Sequence, residues 1–191
     1  VLASASPRRR ELLRSLCPDF EVAPSAVDER LEPGPLAAAV ARLALRKARA
    51  AAGGRRAGIV LGADTIVVID GEVLGKPSGP AEAAAMLRRL RDRIHEVLTG
   101  VAVVDAATGR EATETVTSRV RMKAATDAEI AAYAATDEPL DKAGGYAIQG
   151  RGGALVEGLE GSWSNVVGLP LAATAALLRR FGVAVSEPPV E

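Results

Sequence analysis

A chain of 191 residues with 24 basic and 24 acidic side chains is long enough for one domain with a sizeable core and carries no net charge, which argues against a basic nucleic-acid clamp. Hydrophobic residues make up 48% and charged residues 25%, the balance of a globular chain rather than a disordered one. A single cysteine, Cys17, and a single histidine, His95, exclude an internal disulfide and argue against a Cys/His zinc site.

Val1-Leu2-Ala3 reads as a short strand. The start is not Met, so one or a few residues are expected before Val1. It lacks the basic-then-apolar pattern of a secretory signal, and no apolar run reaches membrane-spanning length, so a cytoplasmic location without membrane partners is expected by default. Ser6-Pro7 starts a helix, Ser as N-cap and Pro in the first turn, with Leu12, Leu13 and Leu16 on its apolar face. A second helix is expected from Pro35 to about Ala52, with Leu36, Val40 and Leu43 on one stripe and Gly53-Gly54 at its end. Ile59-Val60-Leu61 and Ile66 to Ile69 are β-like, and Asp70-Gly71 turns the chain into Glu72-Val73-Leu74. A third helix is expected from Pro80 to about Arg91. Strands at Val97 to Val104 and Thr113 to Met122 then flank a turn at Thr108-Gly109. Thr126-Asp127 caps a short helix through about Ala135. Residues 144–168 are glycine-rich, with a strand near Ala154-Leu155-Val156, and Gly168-Leu169-Pro170 opens a last helix ending near Phe181. Interleaved strands and helices make the fold class α/β. One domain over residues 1–185, with a frayed tail over 186–191, is the expected organisation.

Three features carry chemistry. Arg8, Arg9 and Arg10 load the first turn of a helix with positive charge, where the dipole is already positive. Either an anion such as phosphate binds there, or the side chains splay into water. Gly62-Ala63-Asp64-Thr65 lies inside an apolar run. An ionised carboxylate in a strand core needs a metal, a cation or solvent; the alternative is a turn that breaks the run at Gly62. Lys47 continues the apolar stripe of the second helix, so its ammonium either reaches the rim or meets a negative occupant.

Several motifs fail on inspection. Gly71 to Lys76 is one residue short of a P-loop, and Pro77 replaces the Ser or Thr that would touch magnesium. Gly150-Arg151-Gly152-Gly153 lacks the third glycine of a dinucleotide fingerprint, and His95 has no nucleophile partner in view. Carboxylates and cations with hardly any imidazole or thiol suit oxygen-ligated Mg²⁺ or Mn²⁺ and phosphate chemistry.

The segments Leu2-Ala3-Ser4-Ala5-Ser6-Pro7-Arg8-Arg9, Arg46-Lys47-Ala48, Gly62-Ala63-Asp64-Thr65, Gly75-Lys76-Pro77, Asp141 to Gly150 and Gly161-Ser162 to Pro170 occur in this order. Together they resemble the Maf family of nucleoside triphosphate pyrophosphatases. The resemblance implies a Maf/ITPase-like α/β fold, two lobes around an extended mixed β-sheet with a central cleft. It also implies hydrolysis between the α- and β-phosphates of a nucleoside triphosphate with a divalent cation (Mg or Mn), and a homodimer. By resemblance, Asp64 is the catalytic proton acceptor. Asp64 and Glu29 hold metal, with Asp28 a near competitor of Glu29. Ser4, Arg9, Lys47 and Lys76 meet phosphate. Arg8, Thr65 and Gln149 set substrate specificity, in the combination of the dTTP/UTP subgroup. The carboxamide of Gln149 offers a donor and an acceptor to the imide edge of uracil or thymine. A 7-methyl-GTP pyrophosphatase and a nucleotide-sensing regulator of septum formation are the competing readings, and modified pyrimidine nucleotides are further candidate substrates.

Overall fold

A computed structural model describes residues 1–190. Six helices and five strands alternate: α1 (Pro7–Leu16), α2 (Leu36–Ala52), β1 (Ile59–Ile69), β2 (Glu72–Leu74), α3 (Pro80–Leu90), β3 (Ile94–Asp105), β4 (Glu111–Met122), α4 (Asp127–Ala134), β5 (Val156–Glu160), α5 (Trp163–Val167) and α6 (Leu171–Arg180). The α/β class read from the sequence is the one observed. Among the described residues no helix is long and apolar enough to cross a membrane.

The helix starts follow local chemistry. The hydroxyl of Ser6 accepts from Arg9 N at 3.4 Å and Pro7 fills the first turn of α1. Thr126 and Glu129 form a reciprocal capping box at α4. In α2, Val40, Leu43, Ala44, Lys47 and Ala48 are all buried, so the lysine sits on the core-facing stripe.

The sheet order is β2-β1-β3-β4-β5. β1 and β2 are antiparallel, with Val68 opposite Val73, across a turn in which Asp70 (φ 54) and Gly71 (φ 76) both take the left-handed conformation. β4 and β5 are antiparallel, with an irregularity between Arg121 and Met122. Leu2 adds parallel bridges to Leu61 and Val22. The expected first strand is thus reduced to a single bridging residue, because Ser4 and Ser6 turn the chain at once into α1.

Two further expectations are corrected. The residues at Ala154-Leu155 belong to a 3-10 turn over Gly150–Leu155, and the strand begins only at Val156. Gly150 at φ 67 and the small residues Gly152, Gly153 and Ala154 favour a tight coil over extended backbone. A short helix at Trp163–Val167 forms where only loop was expected. The hydroxyl of Ser162 caps it by accepting from Asn165 N at 3.0 Å.

The chain divides into two compact units: Val1–Thr65 with Thr99–Val116 and the chain from Gly168 onward, and Ile66–Leu98 with Thr117–Val167. The boundaries fall inside β1, β3 and β4. Each unit has its own core. In the first, Leu2, Leu13, Leu16, Leu61, Val101, Val103, Leu169 and Leu177 pack together, beside a second cluster of Val60, Ala44, Ala48 and Ala102. In the second, α3 and α4 pack with Val67, Leu74, Val97, Met122 and Tyr146. Among the described residues beyond α6 no helix or strand forms, although Ser186 N donates to Leu16 O at 2.9 Å.

Candidate active site

The site grows from one close approach in the first unit. β1 runs unbroken from Ile59 to Ile69, so Asp64 lies in the interior of a strand and not in a turn. Alternation along the strand puts Gly62 and Asp64 on the same face. A Cβ on Gly62 would collide with the α2 backbone at Ala44 O and Ala48 N. Gly100 on β3 meets the same helix, with Val40 O 2.6 Å from where its Cβ would be. These two glycines let α2 lie directly on the strands. Lys47 of that helix then reaches Asp64.

Lys47 Nζ donates to Asp64 Oδ1 and to Glu29 Oε1, both at 2.6 Å. The lysine and Asp64 side chains are 8% and 13% exposed, while Glu29 is 58% exposed. The lysine therefore sits between a buried carboxylate and one open to water. This is the negative occupant that its place on an apolar stripe required. Of the two neighbouring acidic side chains, Glu29 reaches Lys47, whereas Asp28 caps its own turn by accepting from Arg30 N at 3.0 Å.

Arg9 completes the group. Its Nε donates to Gly168 O at 2.8 Å, Nη2 to Thr65 Oγ1 at 3.0 Å and Nη1 to Ser4 Oγ at 3.4 Å. Burial lowers the Arg9 pKa, the Asp64 carboxylate opposes that shift, and Arg8 adds to it. The guanidinium stays charged at neutral pH. Arg9 thus does not splay into water; the fold holds it. Arg8 beside it is half-buried and Arg10 exposed. Thr65 also meets Thr99, Oγ1 to Oγ1 at 2.9 Å. Its hydroxyl is therefore engaged with Arg9 and Thr99.

Some contributors were not singled out from the sequence. Arg42 and Arg46 grip the loop that carries Glu29. Each donates to Glu32 at 2.7 Å, and Arg46 Nη2 also donates to Arg30 O at 2.7 Å. Their i, i+4 spacing on one face of α2 was visible, but the distant loop they hold was not. Thr99, fully buried in β3, gave no signal at all.

Lys76 and Gln149 belong to the second unit. Lys76 is exposed just after β2, and Gln149 is half-buried in the loop between a 3-10 turn at Ala143–Gly145 and the one at Gly150–Leu155. Gly144 N donates to Gly75 O at 3.0 Å, tying the segment of Lys76 to the segment that leads to Gln149. The lone histidine is internal, 1% exposed, with Nε2 2.6 Å from the hydroxyl of Tyr146. Burial pushes its pKa down to about 4.

The five-stranded sheet of this α/β chain thus carries an aspartate–lysine–glutamate triplet and a partly buried arginine beside one strand. The family model for Maf-like proteins matches residues 1–181, and the chain belongs to that family. It is 55% identical over 186 residues to the dTTP/UTP pyrophosphatase of Moorella thermoacetica, covering 97% of this chain and 96% of the other. It is 51% identical over 184 residues to that of Pelotomaculum thermopropionicum, covering 95% and 96%. It is 53% identical over 184 residues to that of Myxococcus xanthus, covering 96% and 92%.

Proposed function

We propose that this chain hydrolyses dTTP and UTP to the nucleoside monophosphate and pyrophosphate. The name carried by its relatives supports the substrate. The observation that carries the chemistry is Asp64, a carboxylate inside a strand, held by Lys47 and facing the positive charge of Arg9. Desolvating that carboxylate costs several kcal/mol, and the fold retains it beside cations where a polyphosphate is attacked.

Asp64 takes the proton of a water that adds to the α-phosphorus. The bond from the α-phosphorus to the bridging oxygen breaks, and pyrophosphate leaves with the electron pair. By the family resemblance, Arg9, Lys47, Ser4, Arg8 and Lys76 are the groups proposed to meet phosphate oxygens and offset the charge that builds on the leaving group. Thr65 keeps Arg9 in place, and Gln149 reads the imide edge of the base.

The donor set fits a hard divalent ion. Asp64 and Glu29 offer two carboxylates around one ammonium, and Glu29 is open to water. Among the described residues no group of three or more Asp, Glu, His or Cys side chains comes together. Two protein carboxylates, with water and substrate oxygens completing the shell, match the way Mg²⁺ is bound with polyphosphates. Asp64 and Glu29 would hold Mg²⁺ or Mn²⁺, which supplies Lewis acidity toward the phosphate oxygens. A cytoplasmic homodimer belongs to the same proposal, on the strength of the family resemblance; light scattering in solution tests the dimer.

The test is pyrophosphate release from a panel of nucleoside triphosphates, with Mg²⁺, Mn²⁺ or a chelator in parallel. dTTP and UTP are expected to be turned over best, and the chelator to abolish turnover. Release of orthophosphate instead, or preference for 7-methyl-GTP, overturns the reading.

A further inference from the structure

In the second unit, the loop that carries Gln149 is fastened on both sides by two side chains outside it. On the N-terminal side, Ala147 N donates to the hydroxyl of Tyr133 at 3.1 Å. On the C-terminal side, Arg151 N and Gly152 N donate to the carboxylate of Glu138 at 3.1 and 2.8 Å. The two anchors act on each other: burial and the neighbouring Glu138 carboxylate raise the pKa of the Tyr133 phenol. The fit is close. A Cβ on Gly152 would stand 2.6 Å from the Tyr133 hydroxyl, and one on Gly150 would strike the Glu138 carboxylate. Backbone donors that would otherwise belong to an irregular loop are thus consumed by one carboxylate and one phenol. Gln149 lies between the two anchored stretches with its side chain half-buried.

We propose that Glu138 and Tyr133 are positioning residues for base selection: they hold the backbone of residues 147–152 so that the Gln149 carboxamide is presented in one place. The proposal rests on the reading of Gln149 as the group that meets the base. Burial works against the charge of the Glu138 carboxylate, yet its hydrogen bonds with Tyr133 and the two loop amides hold its pKa below the ordinary value, so it is an acceptor for both amides at neutral pH. A hydrogen-bonding side chain discriminates only when its own freedom is removed. A side chain displaced by about 1 Å loses the distance and angle that its hydrogen bonds to a base require.

The experiment compares Tyr133→Phe, Glu138→Gln and Gln149→Ala with the wild type, measuring kcat and KM for UTP, dTTP, CTP and GTP together with melting temperature. The expected result is a fall of about tenfold in the preference for UTP and dTTP over CTP and GTP in Tyr133→Phe and Glu138→Gln, through KM, with kcat changed by about twofold or less. Adding Tyr133→Phe to Gln149→Ala should change the preference no further, because the two act on one contact. Equal losses on all four nucleotides, or full additivity in the double variant, overturn the proposal and leave a merely structural anchor. A wild type without preference for UTP and dTTP fails the reading of Gln149 itself, and is seen before any variant is made.

Discussion

Asp64 and His95 show two ways in which a single buried titratable side chain governs behaviour. Replacing Asp64 by Asn keeps the size and one acceptor for Lys47, which also retains Glu29 at 2.6 Å. The folded state should therefore survive, while the charge and the proton acceptor are gone. Pyrophosphate release should fall by about 100-fold or more, the scale of a lost general base or charge-stabilising group. Turnover near that of the wild type in a well-folded variant would remove Asp64 from the mechanism. His95 acts on stability instead. Its folded pKa, pushed down to about 4 by burial, lies below the unfolded value of roughly 6.5. Between these values the unfolded chain binds a proton that the native chain does not. Stability is complete above about pH 6.5 and is lost as pH falls toward 4, by about 3 kcal/mol at most. Denaturant midpoints of wild type and His95→Gln from pH 4 to 7 check this. The difference between the two proteins should change across that window, and a constant difference counts against the buried neutral imidazole.

At the level of elements, the contact of α2 with β1 and β3 fixes the geometry of the group formed by Asp64, Lys47 and Glu29. Gly62→Ala places a methyl 2.8 Å from Ala48 N and still nearer Ala44 O, and Gly100→Ala places one 2.6 Å from Val40 O. Helix backbone cannot yield as a flexible side chain does, so α2 must shift, at a cost of about 1–3 kcal/mol. Because Lys47 rides on α2, activity should fall with stability in both variants. Gly158→Ala on β5 has nothing within 4 Å and should change neither. Chemical denaturation and kcat/KM on all three variants decide the matter. This contact also marks how far the sequence could be read. The period of α2 and the place of Lys47 on its stripe were legible, as was the oddness of Asp64 in an apolar run. What Gly62 does was not legible, since a glycine in a strand reads equally as a break, and only the helix lying against it distinguishes the two. The 3-10 turn at Gly150–Leu155 was missed for a related reason. Its Arg151 and Gly152 amides are held by Glu138, which is distant in sequence.

For the whole molecule, the distribution of charge decides which large partners are available. The arginine clusters at 42–49 and 88–93 look in sequence like patches for nucleic acid. In the folded chain they are matched by carboxylates. Arg42 and Arg46 meet Glu32, Arg49 meets Glu111, Arg88 and Arg91 meet Asp127, Arg89 meets Glu72, and Arg93 meets Asp70. Most of these pairs are exposed and each adds little stability, about 0–1 kcal/mol. They do cancel the field that phosphate backbones need. Binding to nucleic acid draws its free energy from several unpaired cations that release counterions together. In these clusters the arginines meet carboxylates instead, so the term that binds a polymer of phosphates is lost. Fluorescence anisotropy with labelled single- and double-stranded DNA at about 0.15 M salt should show no saturable binding below roughly 100 μM, the weak end of non-specific affinity. A Kd near 1 μM with a steep salt dependence would mean that the ion pairs open in solution and the arginine clusters form a second binding face.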